Sequence, residues 1–304
     1  NQATTDGLLT MSVVEVDRIE VLRGPQGTLF GNASLGGAIS YVTRAPADTF
    51  GARVQGSIGS FNRRDFQAAV DLPFSDTFKS KFTLASMSRD GFVESQVIER
   101  AYGDVNDELA RADFLWEPLD SLSLRYNAEK STTDRVGPAR VVWEIGPAQA
   151  LSVGGTQINT NPQVQAYINA SQGGYTINGF TNINYNNANN TSGQAYSTNL
   201  GKYDTRVAWE TNGVVIDSMR HTLDVNWDIN DTFRVRSISG YKELTRSAQV
   251  DFDGAAEVIL LERDNRGRFY SFSQEVQILG SHEKFDWVVG GFYQQENNLN
   301  RTIT

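Results

Sequence analysis

Cysteine is absent from the 304 residues. That removes a disulfide framework and a thiolate metal centre, and leaves the compartment open. Histidine is nearly absent as well. His221 and His282 lie far apart beside turns, and neither HExxH nor GxSxG occurs. Zinc-protease and serine-hydrolase chemistry therefore lack a local motif, and no local motif marks a carboxylate pair. No apolar run approaches the ~18 residues of a transmembrane helix, which says nothing about a membrane barrel, whose strands give only weak alternating segments. Positive charge is in deficit, with 27 Lys+Arg against 36 Asp+Glu and a net charge of −9. A nucleic-acid binder carries a basic face or stripe, and no basic cluster exists here.

What the chain does have is alternation. Phe50, Ala52, Val54 and Ile58 alternate with Arg53, Gln55 and Ser57. The same period recurs over Asp65–Leu72, Phe78–Leu84, Ala110–Trp116, Ser121–Glu129, Thr222–Ile229, Phe233–Tyr241, Tyr270–Ile278 and Phe285–Tyr293. Period two over nine segments predicts nine β-strands, each with one apolar and one polar face. A soluble sandwich would show the same pattern with the apolar side inward. Two features favour a membrane barrel. Most segments run about 9–13 residues, long for a globular protein and sufficient to cross a bilayer at a tilt. Phe50, Phe78, Trp116, Tyr241, Tyr270, Phe285 and Tyr293 sit at strand ends, as in the aromatic girdles of outer-membrane barrels.

The connections give independent support. After a modest first loop at Ser60–Arg64, short links at Pro73–Thr77, Glu117–Asp120, Asn230-Asp231 and Gly280–Lys284 alternate with long ones at 89–107, 131–218 and 245–266. Outer-membrane barrels keep short turns on the periplasmic side and long loops outside. The loop 131–218 is low in charge and rich in Asn, Gly, Gln and Thr, with embedded aromatics. Trp143, Tyr175, Tyr185, Tyr196 and Trp209 are its candidate ligand-binding residues, offering faces for stacking beside amides and hydroxyls. The bland alternative is local packing. Arg53, Arg111, Arg125, Arg234 and Arg236 lie on polar faces, where they would either attract an anionic ligand or pair with acids. Asp251-Phe252-Asp253-Gly254 lacks the third ligand position and the closing Glu of a calcium loop, so no metal site and no cofactor are expected.

Before the alternation stands Val14–Pro46, VEVDRIEVLRGPQGTLFGNASLGGAISYVTRAP. A charged, alternating strand leads to Arg23-Gly24-Pro25-Gln26-Gly27, then to glycines at Gly31, Gly36 and Gly37, then to a second strand closed by Arg44 and Pro46. Proline presets φ in the first turn, and paired glycine admits φ > 0. Gly31–Gly36 has phosphate-loop spacing, but Gly37 replaces the lysine and a strand follows.

Residues 16–46 resemble the end of the plug domain of TonB-dependent outer-membrane receptors. There a strand of the form V-x-R-I-E-V-L-[RK]-G-P leads into G-x-x-x-G-G-x-I-[NS]-x-[VI]-T-[RK]-x-P. Gly31-Asn32-Ala33-Ser34 departs slightly from the family's usual step. Phe272–Val276 and Phe285–Tyr293 also resemble strands of the family's barrel. The resemblance implies an all-β chain that is a fragment: residues 1–47 as the C-terminal part of a plug, and 48–304 as the first strands of a barrel of about 22. It implies a non-enzymatic receptor in the outer membrane of a Gram-negative bacterium, importing a scarce solute such as a ferric siderophore. The partners implied are outer-membrane lipid and the inner-membrane TonB complex, whose contact segment would precede Asn1. Arg23, Gly24, Pro25, Gly27, Gly31, Gly36, Gly37 and Arg44 would be the plug motif. The rivals are a passive channel or adhesin barrel, and a secreted β-rich glycan-binding protein.

Overall fold

The computed structural model describes residues 14–24, 37–96, 98–137, 204–205, 213–251, 261–282 and 285–303, and four two-residue strands within 152–181. In chain order the strands are β1 (Val16–Arg23), β2 (Gly37–Thr43), β3 (Gly51–Gly59), β4 (Arg63–Pro73), β5 (Phe78–Arg89), β6 (Val93–Ser95), β7 (Ala101–Tyr102), β8 (Val105–Leu119) and β9 (Leu122–Val136). Then come β10 (Ser152–Val153), β11 (Thr156–Gln157), β12 (Thr176–Ile177), β13 (Phe180–Thr181), β14 (Asp204–Thr205), β15 (Gly213–Asp228), β16 (Phe233–Asp251), β17 (Leu261–His282) and β18 (Phe285–Ile303). No helix occurs among the described residues.

Nine of these strands form one antiparallel sheet in the order β18-β17-β16-β15-β9-β8-β5-β4-β3. They are the nine segments that alternation predicts, each paired with its neighbour in sequence. β1 and β2 form a separate antiparallel pair, with Arg23 opposite Gly37 and Val16 opposite Thr43. The connections of the large sheet are short at one end (residues 74–77, 120–121, 229–232 and 283–284) and longer at the other (90–104, 137–212 and 252–260). The first connection at the long-loop end, 60–62, is also brief, with Phe61 and Asn62 at φ 58° and 54°.

The strands run further than alternation indicates. Residues 131–136 belong to β9 and 213–218 to β15, and the two segments pair directly, Ser131 with Ser218 and Val136 with Gly213. Residues 245–251 and 261–266 likewise extend β16 and β17. The long loops are therefore shorter than expected, and β17 reaches 22 residues.

Burial decides which way the faces turn. The buried polar set includes Lys81, Thr83, Asp107, Arg111, Asp113, Glu129, Ser131, Thr133 and Ser218. The buried apolar set in the large sheet is small: Ala69, Ala85, Leu109, Ile216 and Ala248. Phe66, Phe82, Leu84, Trp116, Tyr126, Trp227, Val276 and Ile278 are exposed. This inverts a soluble sandwich, and no second sheet covers the apolar face among the described residues. Phe78, Phe114, Tyr126, His221 and Tyr241 make ring contacts 6.0–6.5 Å apart across five strands of that face. Trp227, Phe233, Phe285 and Trp287 ring its short-turn end. An apolar band edged by aromatics is the lipid-facing pattern of a membrane barrel.

Candidate functional site: a polar wall and the small sheet bound to it

On β3, β4 and β5 the register sets Arg53 opposite Ala69 and Ala69 opposite Thr83. Every second residue from these positions faces the same way, which puts Arg53, Asp71, Lys81 and Thr83 on the polar face. On β8 and β9, Arg111 stands opposite Glu129, adding Asp113, Arg125 and Arg135. The pair β1–β2 is held to this face by four sets of contacts.

The first centres on Glu15, just ahead of β1. Its carboxylate accepts 2.8 Å hydrogen bonds from Arg53 and lies 3.9 Å from Lys81 Nζ, which is also 3.5 Å from Asp71. Its carbonyl accepts from Arg44 N at 3.1 Å. Glu15 has φ 52°, a left-handed conformation that costs a non-glycine residue roughly 1–2 kcal/mol. The second set is the buried guanidinium of Arg111. It donates to Val14 O at 2.9 Å and to Glu129 at 2.6 and 2.8 Å. Glu129 is held from its other side by Arg220 at 2.8 Å. Arg125 makes the third set, donating to Thr43 O, Thr43 Oγ1 and Arg44 O at 3.0–3.2 Å and to buried Asp113 at 3.0 Å. The fourth follows β2: Ala47 N donates to Asp71 at 3.0 Å, and Asp48 lies 2.5 Å from Lys79.

All five arginines singled out from the sequence are ion-paired: Arg53 with Glu15, Arg111 with Glu129, Arg125 with Asp113, Arg234 with Asp228 and Arg236 with Asp224. Of the expected plug motif, Gly24 has φ 84° and Gly37 has φ 129°. A Cβ on Gly37 would stand 2.2 Å from Leu22 O. Arg23 lies on an exposed position of β1, and Arg44 Nε donates to Val16 O at 3.4 Å. Pro25, Gly27, Gly31 and Gly36 fall outside the described residues, as do Trp143, Tyr175, Tyr185, Tyr196 and Trp209.

Sequence reasoning missed Glu15, Asp71, Lys81 and Asp113 as a set. Their places on polar faces were readable, but their partners are not. Arg53 and Glu15 are 38 residues apart, and Arg111 and Val14 are 97 apart. At the long-loop end, β6 and β7 lie in the connection 90–104. There Asp104 accepts from Val136 N. Burial raises its carboxyl above the usual aspartate value, and the nearby Asp134 pushes the same way. Among the described residues, no group of three potential metal ligands stands together. Tyr126 and His221 are hydrogen-bonded at 2.7 Å, but on the apolar face.

A one-sided sheet, apolar outward and charged inward, with a small sheet bound to its charged face, defines part of the wall of an outer-membrane barrel with an occupant. The pesticin receptor of Yersinia pestis is 28% identical over 135 residues, which is 44% of this chain and 17% of that protein. The iron-regulated outer membrane virulence protein of Vibrio cholerae serotype O1 is 30% identical over 155 residues, 49% of this chain and 22% of that protein. The matched stretch is thus about a fifth of each curated relative. The solved ferric yersiniabactin uptake receptor FyuA from Yersinia pestis superposes with a TM-score of 0.68 at 16% identity, covering 95% of this chain and 37% of that one. No protein-family model matches. The chain shares the barrel fold of the TonB-dependent outer-membrane receptors and is a relative of them in sequence. It is an outer-membrane protein of a Gram-negative bacterium, and the curated relatives are named as a receptor and an iron-regulated outer membrane virulence protein.

Proposed function

We propose that the chain is the part of a TonB-dependent importer where the plug meets the first barrel strands, and that the whole protein carries a scarce iron chelate inward. Residues 1–47 form the end of the plug, and 48–304 begin the barrel. The loop aromatics Trp143, Tyr175, Tyr185, Tyr196 and Trp209 contact the cargo. The TonB complex pulls on the plug from the periplasm, and the resulting rearrangement opens a path.

One observation carries this reading. Among the described residues, the small sheet is bound to the wall chiefly through charged and hydrogen-bonded contacts at Glu15, Val14, Thr43 and Arg44, beside one small apolar cluster in which Val14 meets Ala85 and Leu109. An apolar interface of that size would be a permanent core. A polar one exchanges its partners for water at little net free energy, because a hydrogen bond contributes only about 0.5–1.5 kcal/mol net. That suits an element that must stay seated at rest and yield under force. The names of an iron-regulated outer membrane virulence protein and a ferric yersiniabactin uptake receptor among the similar proteins support an iron-linked cargo.

The test is uptake of labelled ferric siderophores by cells carrying the full-length gene, with and without a working TonB system. TonB-dependent uptake is the expected result. Uptake indifferent to TonB would refute the coupling and leave a passive channel. No uptake of any chelate would refute the cargo and direct the search to cobalamin, haem and glycans.

A further inference from the structure

The small sheet takes up one side of the polar wall. Its anchors sit on β3, β4, β5, β8 and β9. On the next strands the same inward face carries charge of a different kind. Arg111 opposite Glu129 begins a row that continues through Arg220, Lys242, Ser271 and Glu296, one residue per strand. Two guanidiniums of this row share one carboxylate, since Arg111 and Arg220 both reach Glu129. Lys242 comes next, and the row meets no second acid until Glu296, two strands further on.

Like charges set opposite one another on one face are destabilising, and Arg220 and Lys242 are direct register partners. Arg220 keeps 40% of its side chain exposed. Its Nε is enclosed and has no hydrogen-bond partner among the described residues. Lys242 Nζ lies over the Phe269 ring, 5.9 Å from its centroid. Phe269 stands opposite Leu244 on the row just beyond, toward the long loops. That row, with Ser131, Ser218 and Asn298, is uncharged. The row after it carries Arg246, whose Nε is also enclosed without a hydrogen-bond partner among the described residues. Four residues of strand put it about 13 Å beyond Lys242.

We propose that Arg220, Lys242 and the apolar floor of Leu244 and Phe269 receive an aryl oxyanion of the cargo: a catecholate, a phenolate or an aryl carboxylate. The anion's source rests on the proposed importer; its seat rests on the geometry alone. An oxyanion between the two cations relieves their repulsion and accepts charge-assisted hydrogen bonds from both. The ring that carries it lies against Phe269. A neutral ligand would gain the ring contact and leave the cations side by side. Arg246 stands on the approach, where a charge raises the rate of encounter. Arg111 offers no equivalent seat, because it is buried against Glu129 and Val14 O.

The experiment is equilibrium dialysis of the full-length protein in detergent against iron-free dihydroxybenzoate, an anionic ferric tris-catecholate and a neutral ferric tris-hydroxamate. The variants are Lys242→Gln, Phe269→Leu, their double, and Lys130→Gln as an exposed cation of the outward face. Heat-modifiable migration reports whether each variant is folded. The wild type and Lys130→Gln should retain both anions in preference to the hydroxamate. Lys242→Gln should weaken that retention about tenfold, the worth of one charge-assisted hydrogen bond. Phe269→Leu should weaken it about fivefold through the lost ring contact. In stopped-flow mixing, Arg246→Gln should slow association of the tris-catecholate, and an unchanged rate would overturn its place on the approach. Equal retention of the hydroxamate, no retention of dihydroxybenzoate by the folded wild type, or no loss in a folded double variant would each overturn the site. None of these readings needs TonB or uptake, so TonB-indifferent uptake beside intact anion retention would overturn the importer and uphold the site.

Discussion

Glu15→Gln isolates the charge that seats the small sheet on the wall. The substitution keeps the side chain's length and the left-handed backbone, and removes one negative charge between Arg53 and Lys81. Arg53 is more than half exposed at its side chain, so that pair contributes at most ~0.5 kcal/mol after screening. Lys81 is nearly buried and 3.9 Å from the carboxylate. Coulomb's law with an effective dielectric constant of about 20 gives ~4 kcal/mol at that distance. Most of it is offset by desolvation and by Asp71, which remains 3.5 Å from Lys81 in the variant. A net loss of about 1–2 kcal/mol follows, a 5–30-fold shift toward detachment. Hydrogen exchange of the Val16–Arg23 and Gly37–Thr43 amides in the full-length protein reads this directly. Exchange should quicken by that factor there and stay unchanged in β8 and β9. Unchanged exchange in β1 and β2 would refute the view that the Glu15 charge holds the small sheet.

Three more outcomes follow from the geometry. Gly37→Val forces a β-branched side chain into φ 129° against Leu22 O; it should cost at least about 1–3 kcal/mol and loosen β1–β2 in the same exchange experiment. Leu84→Arg places a cation on the outward face, where a charge near the bilayer midplane costs about 2–4 kcal/mol; urea unfolding in lipid vesicles should reveal the loss, and a neutral result would mean that this face does not meet lipid. Asp104 has a folded-state pKa raised chiefly by burial, so the folded loop binds its proton more tightly than the unfolded chain does. Its contribution to stability therefore grows as pH falls through the raised value, and is complete below the unfolded pKa. Limited proteolysis of the connection 90–104 should slow as pH falls from 7 toward 4. Asp104→Asn, which keeps the acceptor for Val136 N, should flatten that dependence.

What could be read in advance depended on where each residue's two neighbours lie. Leu122–Glu129 alternates cleanly because one side of β9 meets lipid and the other meets charge, so nine strands and their faces were legible. Beyond Glu129 the strand continues as Ser131, Thr132, Thr133, Asp134 and Arg135, polar on both sides. Above the lipid both faces are wet, the contrast that makes alternation is gone, and the segment looks like loop although it is fully paired. Paired glycine admits the positive φ and the close approach to Leu22 O that Gly37 takes, whereas the positive φ of Gly24 did not stand out in the sequence. The seat of the small sheet was not legible: Arg53 was visible as an inward cation, but its choice of Glu15 depends on contacts 38 residues away. The bystander role considered for the five arginines, pairing with acids, is the one that the geometry favours.

The overlong strands set a boundary between what is fixed and what is free to change. On β17 the outward apolar run from Tyr270 to Gly280 rises about 25 Å at barrel tilt, enough for the hydrocarbon layer. Leu261–Phe269 continues for roughly another 20–25 Å, still paired with β16 and, from Asp264 onward, with β18. The wall thus stands as a collar above the lipid, and the connections 137–212 and 252–260 spring from its crest. Their sequences can vary without disturbing the register of the membrane-embedded part.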